Sequence, residues 1–290
     1  MAVLRIDDFT DPACPFAFSA EPGRFRLRWL YDERIEWRPR MVVLSRSPDE
    51  YQAKGFTPER MSAGLADIQR RYQMPIDPRL RPRMTATIDA CRAVVAARLH
   101  WPDREEAVLR RLRIRAMAGE LLDSPFTIAS AARDAGIDDV PLLGMWTDDP
   151  DVERELEADA AAARRPSRAA LALDHKLAPA GDGRRYTCPS YEITRLDDGA
   201  RFDAPGFQPV AVYEAAIANL APELERRALP ASVDEVLAWA GEPLATAEVA
   251  AICELEHDEA RIELSRVAHE QAVGPDGFWT LPAAAKRLAA

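Results

Sequence analysis

No stretch of about 18 apolar residues occurs in the 290-residue sequence, so a membrane-spanning helix is excluded. No C-x-x-C pair occurs either. The four cysteines, Cys14, Cys91, Cys188 and Cys253, are widely scattered, which argues against a zinc ribbon or zinc finger. The four histidines, His100, His175, His257 and His269, show no metal spacing and no catalytic-triad pattern, so surface or capping positions are expected for them. Lysine is nearly missing: only Lys54, Lys176 and Lys286 stand among 38 basic residues, and the rest are Arg. With abundant Ala, this points to a GC-rich bacterial coding sequence and says nothing of function. The opening Met1-Ala2-Val3-Leu4-Arg5-Ile6-Asp7-Asp8 lacks the basic start, apolar middle and small-residue cleavage site of a secretory leader. The cytoplasm is the expected address, where structural disulfides are not expected. Each Cys is then either buried filler or a reactive thiol.

What is present is a globular composition, 48% hydrophobic and 30% charged, in a chain long enough for one large domain or two smaller ones. The net charge of −10 makes it a poor generic binder of nucleic acid or anionic membrane. Residues 3 to 9 read as a short strand. A helix is predicted from near Cys14 through Tyr31, with Gly23 as a point of interruption, and residues 35 to 44 read as a second strand that Pro39 confines to an edge or a bulge. Helical periodicity fills residues 57 to 167, most clearly over Met84–Leu99 and Glu105–Leu122, then around Ser124–Ala135, Pro141–Met145 and Asp149–Arg164. Strand signals return at Arg184–Thr194, turn at Asp197-Asp198-Gly199 and pair back over Arg201–Ala204 before a helix from Gln208 to Leu220.

The sharpest local feature is Asp11-Pro12-Ala13-Cys14-Pro15-Phe16, between a strand and a helix. A thiol at a helix N-terminus meets unpaired N–H groups and the positive end of the macrodipole. Both favour the thiolate, the nucleophilic form, so the Cys14 pKa is expected to fall below the free-thiol value of about 8.5. This opening, the long helical insertion, and the late Thr187-Cys188-Pro189-Ser190 before a hairpin resemble the DsbA-like branch of the thioredoxin superfamily, nearest the bacterial FrnE-type oxidoreductases, over about residues 3 to 220. The resemblance implies an α/β thioredoxin-like fold with a large all-helical insertion. Cys14 would be the attacking thiolate, and Pro189 a cis-proline on the opposite wall. Pro15, Phe16, Thr187 and Cys188 would join Pro189 in contacting substrate, with the backbone of Cys188 free to pair with an extended segment. The insertion would cap the site.

The sequence departs from the C-P-x-C pattern of that family at Ala17, which stands in place of the resolving Cys. Two-cysteine cycling through this motif is therefore impossible. A monothiol mechanism remains, in which Cys14 attacks a protein disulfide or a low-molecular-weight thiol conjugate and an external or substrate thiol releases it. Pairing of Cys14 with Cys188 is a second route. No bound cofactor is expected beyond a small thiol as co-substrate. Two alternatives stand beside this one: a redox-inactive thioredoxin-fold binding or regulatory protein, and an enzyme like the kappa-class glutathione transferases and chromene-carboxylate isomerases, which generally carry Ser where this chain has Cys14.

Other features have plainer readings. Cys91 and Cys253 fall among apolar helical positions and read as inert core residues. The run Arg110-Arg111-Leu112-Arg113-Ile114-Arg115 reads as a solvated helix face paired with Glu105, Glu106 or Glu120. The tryptophans read as core residues, with a groove role open for Trp101 and Trp146. After a boundary near Pro222–Pro230, three helical patterns and the hairpin Val273–Leu281 resemble a winged helix-turn-helix. Acidic residues outnumber basic ones throughout this segment, and Asp258, Glu259 and Glu263 sit on its would-be recognition helix. Phosphate would be repelled. A packing or dimerisation module, giving a homodimer, is expected instead of a nucleic-acid reader. The expected organisation is 1–56 and 168–222 for the thioredoxin-like domain, 57–167 for the insertion and 223–290 for the C-terminal domain.

Overall fold

A computed structural model describes residues 1–282. The last eight positions of the 223–290 segment, with Lys286, lie outside the described residues. The chain opens on strand β1 (Leu4–Thr10), then helices α1 (Pro15–Ser19) and α2 (Glu21–Tyr31), strand β2 (Ile35–Met41), and helices α3 (Pro48–Ala53), α4 (Pro58–Tyr72), α5 (Ile88–His100), α6 (Glu105–Met117), α7 (Pro125–Asp134), α8 (Val140–Trp146), α9 (Pro150–Ala163) and α10 (Arg168–Leu171). Strands β3 (Leu177–Ala180), β4 (Gly183–Tyr186), β5 (Ser190–Arg195) and β6 (Arg201–Ala204) follow, then α11 (Val210–Leu220). The chain continues through α12 (Val233–Ala240), β7 (Leu244–Ala245), α13 (Thr246–Cys253), α14 (His257–Val267), β8 (His269–Val273) and β9 (Asp276–Thr280).

The central sheet is mixed, in the order β2-β1-β5-β6. β1 is paired on both edges, parallel to β2 (Leu4 opposite Ile35, Thr10 opposite Met41) and antiparallel to β5, and nearly all of its residues are buried. Pro39, which has no N–H to give, sits on the edge strand as expected. That edge is closed by side chains: Arg98 donates to the Pro39 carbonyl at 2.7 Å, and Asp159 of α9 accepts from the Met41 N–H at 3.1 Å.

Several boundaries differ from the sequence expectation, each for a local reason. The helix after Cys14 breaks at Ala20 and not at Gly23. Pro22 cannot donate to the carbonyl four residues back, so the first helix stops and a second starts with Pro22 in its first turn. The Met84 stretch becomes helical only at Ile88, since the Thr87 N–H is held by the Ser45 carbonyl at 2.9 Å. The strand expected over 184–194 is two strands, β4 and β5, parted at Thr187-Cys188-Pro189. β3, the partner of β4, was not expected, because Leu177-Ala178-Pro179-Ala180 has little strand propensity.

The helical insertion has its own core around Cys91, Val94, Val95, Leu109, Leu112, Val152 and Leu156. A second core joins Leu4, Ile6, Phe25, Leu27 and Trp29 directly to Val236, Leu237, Leu244, Val249, Ile252, Leu264 and Trp279 of the C-terminal segment. That segment carries the small sheet β7-β9-β8. Its hairpin turn presses on the loop after α4: a Cβ on Gly274, at φ +61°, would lie 2.4 Å from the Ile76 carbonyl oxygen, so only glycine fits.

The arginine run is not a solvated face. Arg110 and Arg113 are buried, at 3% and 2% exposure, because α6 is sandwiched between the sheet and the C-terminal segment. Arg110 makes a two-pronged pair with Glu248 at 2.8 and 2.9 Å and donates to the Pro243 carbonyl at 2.8 Å. Arg113 pairs with Glu21 and Thr10 and lies 3.8 Å from Asp8. Arg115 does face outward, to Glu120 at 2.8 Å.

Asp8 is an imperfect member of this network, since its Oδ1 is buried without a hydrogen-bond partner, as are the Nε atoms of Arg24 and Arg113. Burial lifts its pKa to about 6 from 3.8; Arg113 and Arg24 oppose the rise, while Glu21 and Glu106 add to it. The folded state thus holds this proton more tightly than the unfolded state. The stability Asp8 contributes is full below about pH 4 and lost as pH rises through about 6, a swing of about 3 kcal/mol. Asp8→Asn is expected to exceed the parent protein in stability by up to about 3 kcal/mol at about pH 8 and to match it near pH 4. Urea titrations at both values check this, and equal stabilities at the higher pH would refute it.

Candidate active site

The site starts at the end of β1, where the chain must leave the sheet and enter α1. Asp11 pins this turn. Fully buried, its carboxylate accepts from the N–H of Ala13 and of Leu44, each at 2.8 Å, and from the Thr87 hydroxyl at 2.8 Å. Its carbonyl accepts from the Cys14 N–H at 3.1 Å. One side chain thus ties the turn to the segment after β2 and to the start of α5. Burial raises the Asp11 pKa in spite of these donors.

Cys14 is the N-cap of α1, with extended backbone angles and Pro15 following at the first helical position. Only 5% of it is exposed. Its Sγ lies 3.3 Å from the Cys188 carbonyl oxygen, a contact that only the protonated thiol makes by donating. The neighbouring Cys188 side chain holds the Cys14 pKa below the ordinary range; the N–H groups of Ala17 and Phe16 act the same way, while burial and the Asp11 carboxylate oppose them. Burial pushes the Cys188 thiol well up, and the Cys14 sulfur adds to that rise. The pair therefore divides into one thiol that ionises readily and one that keeps its proton.

Cys188 lies in the gap between β4 and β5, just before Ser190, which pairs with Phe9 near the end of β1. The gap is held by side chains: Thr187 donates to the Lys176 carbonyl at 3.0 Å, and Ser190 donates to the Thr187 carbonyl at 2.7 Å while accepting from the Gly206 N–H at 2.9 Å. The Cys188–Pro189 peptide bond is cis.

Both sulfurs line an open cleft of about 720 Å³. Ala13, Pro15, Phe16, Thr187 and Arg185 share its inner wall; Pro189 is buried beside them and does not line it. The opposite wall comes from α3, α4 and the loop between them. Met61, Leu65 and Ile68 make it apolar, and Tyr51, Phe56 and Tyr72 make it aromatic. Phe16 meets Tyr72 edge to face at 6.3 Å between ring centres. Four cations, Lys54, Arg60, Arg71 and Arg185, reach the cleft against one acid, Asp67, which is already paired with Arg70. Among the described residues these four cations make no ion pair.

The sequence brought Cys14, Pro15, Phe16, Thr187, Cys188 and Pro189 to notice, and the structure brings them to one place. It missed the cations and aromatics of α3 and α4, for which the only signal was an ordinary amphipathic period. Trp101 and Trp146 do not line the cleft; Trp146 stacks on His100 with centres 4.0 Å apart. Cys91 is buried beneath the turn, its sulfur 3.5 Å from Asp11 and its pKa pushed well up by burial. Cys253, half-buried in α13, is pushed up to about 11 by burial. Among the described residues no three His, Cys, Asp or Glu side chains converge to hold a metal ion, and no helix is long and apolar enough to cross a membrane.

No protein-family model matches the sequence. None of the curated proteins matches it. Solved structures do. A Nitrosomonas europaea protein described as a protein disulfide isomerase superposes with a TM-score of 0.54 at 15% identity, over 76% of this chain and 96% of its own. A Streptomyces coelicolor protein described as a DsbA oxidoreductase gives a TM-score of 0.54 at 20% identity, over 78% and 94%. At these identities the likeness concerns architecture: the chain has the mixed α/β, DsbA-like thioredoxin fold.

Proposed function

We propose that the protein is a thiol–disulfide oxidoreductase in which Cys14 is the nucleophile and the substrate is a small anionic disulfide or thiol conjugate with an apolar or aromatic portion. The observation that carries this reading is the position of Cys14. Cys14 stands at the N-cap position of α1, its thiolate is favoured by its neighbours, and it lines a cleft with apolar and aromatic residues and four cations. A thiolate attacks a disulfide sulfur in line, forms a mixed disulfide and expels the other half as a thiolate. The unpaired cations suit the carboxylates of such a substrate, and Phe16 and Tyr72 suit a flat apolar body. Asp67, the one acid among the described lining residues, is already paired with Arg70. A reducing compartment, the cytoplasm, fits a protein whose four cysteines are free thiols. The acidic C-terminal segment fits packing or self-association better than contact with phosphate.

Alkylation tests the reading. The rate at Cys14, followed by peptide mapping, is expected to rise with a pH midpoint well below the free-thiol value of about 8.5. Relative to a free small thiol, iodoacetate is expected to be favoured over iodoacetamide, a preference that shrinks as salt screens the cations. A slow thiol with an ordinary midpoint and no preference for the anionic reagent would overturn both the activity and the substrate class.

A further inference from the structure

We propose that Cys188 is the resolving thiol of this site, so that the protein closes an intramolecular disulfide between the first turn after β1 and the β4–β5 gap. The inference rests on the reading of Cys14 as the nucleophile and deepens it. Where a second thiol one helical turn beyond Cys14 would resolve the mixed disulfide, the chain has Ala17, buried in the same cluster as Cys14 and Cys188. Cys188 fills the missing role from beside Cys14. The Cys14 sulfur is 3.3 Å from the Cys188 carbonyl, and both residues line the same cavity and belong to the same buried cluster. A disulfide of about 2.05 Å needs the two Cα atoms within about 7 Å, and the contact of the Cys14 sulfur with the Cys188 backbone brings the residues together on that scale. The other two cysteines are elsewhere: Cys91 lies beneath the turn against Asp11, and Cys253 lies in α13 among the residues of another core.

The sequence of bonds is as follows. The Cys14 thiolate attacks one sulfur of a small disulfide, forming a mixed disulfide and releasing the first half as a thiolate. Cys188 then attacks the Cys14 sulfur from the wall side. The Cys14–substrate bond breaks, the Cys14–Cys188 bond forms, and the second half leaves as a thiol carrying the Cys188 proton. One substrate disulfide is reduced by two electrons while the protein's two thiols are oxidised by two. A small thiol or a dithiol then reduces the protein pair and closes the cycle. The charge on the Cys14 sulfur sets the order of events. While Cys14 is a thiolate it suppresses ionisation of Cys188. Once Cys14 is bound in a mixed disulfide that charge is gone, which removes one of the influences against ionisation of Cys188 and leaves burial, the larger one.

The test uses the full-length reduced protein and the bis(nitrobenzoate) disulfide reagent that titrates thiols, which is anionic and aromatic. The parent protein is expected to release two thionitrobenzoate ions rapidly per molecule and to finish lighter by two hydrogens, with a linked peptide joining Cys14 to Cys188. C188S keeps the Cys14 nucleophile and is expected to release a first ion. It is expected to stop after one ion, with a stable nitrobenzoate adduct on Cys14. A parent protein that keeps the adduct on Cys14 overturns the resolving role and leaves the nucleophile intact. Rapid release in C14S, or none in the parent, overturns the nucleophile as well. Mapping of the parent protein alone decides the question if C188S does not fold.

Discussion

Serine at position 14 is expected to reduce disulfide exchange at least about a hundredfold, to a floor set by the slower thiols. A hydroxyl cannot form the mixed disulfide, and the remaining cysteines are poor substitutes. Burial holds the pKa values of Cys91 and Cys188 well up, and that of Cys253 at about 11. Each unit by which a thiol's pKa falls toward ambient pH raises its thiolate share about tenfold and costs about half of that gain, on a logarithmic scale, in intrinsic nucleophilicity. Cys14 is therefore the only thiol on the favourable side of that balance. The fold is expected to survive, since Ser is a better N-cap than Cys. The check is a kinetic trace with an anionic disulfide beside a thermal melt. Unchanged exchange in a folded C14S protein would place the chemistry at another thiol.

The second large effect is on stability. Arg110→Ala or Glu248→Ala is expected to cost about 3–5 kcal/mol, because either change leaves its partner charged and buried. Glu248 is fully buried and also accepts from the Ala245 N–H at 2.7 Å, so its carboxylate holds a backbone turn as well as a charge. Arg110 lies over the Phe25 ring at 4.5 Å besides holding the Pro243 carbonyl, so its loss also opens space in the core. Replacing both members by apolar residues of similar volume is expected to recover part of the loss. Full recovery is blocked by the Pro243 carbonyl and the Ala245 N–H, which would remain buried without partners. Urea midpoints for the two single variants and the double variant check this. A loss of less than about 1 kcal/mol in both single variants would show that water or another group takes up the charge.

Which parts of this were legible in advance follows from how local each determinant is. The strand, the turn and the Cys14-Pro15 helix start depend on residues close in sequence, and they were read correctly in type and place. The Thr187-Cys188-Pro189 break was noticed through its proline but was taken to lie within one strand, because the pairing of β4 with β3 cannot be seen in Leu177-Ala178-Pro179-Ala180. The cations of the cleft were invisible for another reason. Lys54, Arg60 and Arg71 look like any polar face of an amphipathic helix until Arg185, far along the chain, is placed across from them. Arg110 and Arg113 defeated the reading outright. A charged run signals solvent unless acidic partners are known to be waiting, and Glu21 and Glu248 come from elements remote in sequence.

The reach of that Arg110–Glu248 pair, 138 residues, has a consequence for synthesis. Arg110 emerges from the ribosome long before Glu248, and until then the only one of its buried carboxylate neighbours already made is Glu21, 3.5 Å away in the finished fold. The interior is completed only when nearly the whole polypeptide is out, and a fragment ending ahead of residue 248 would keep a cation where the finished protein has none exposed.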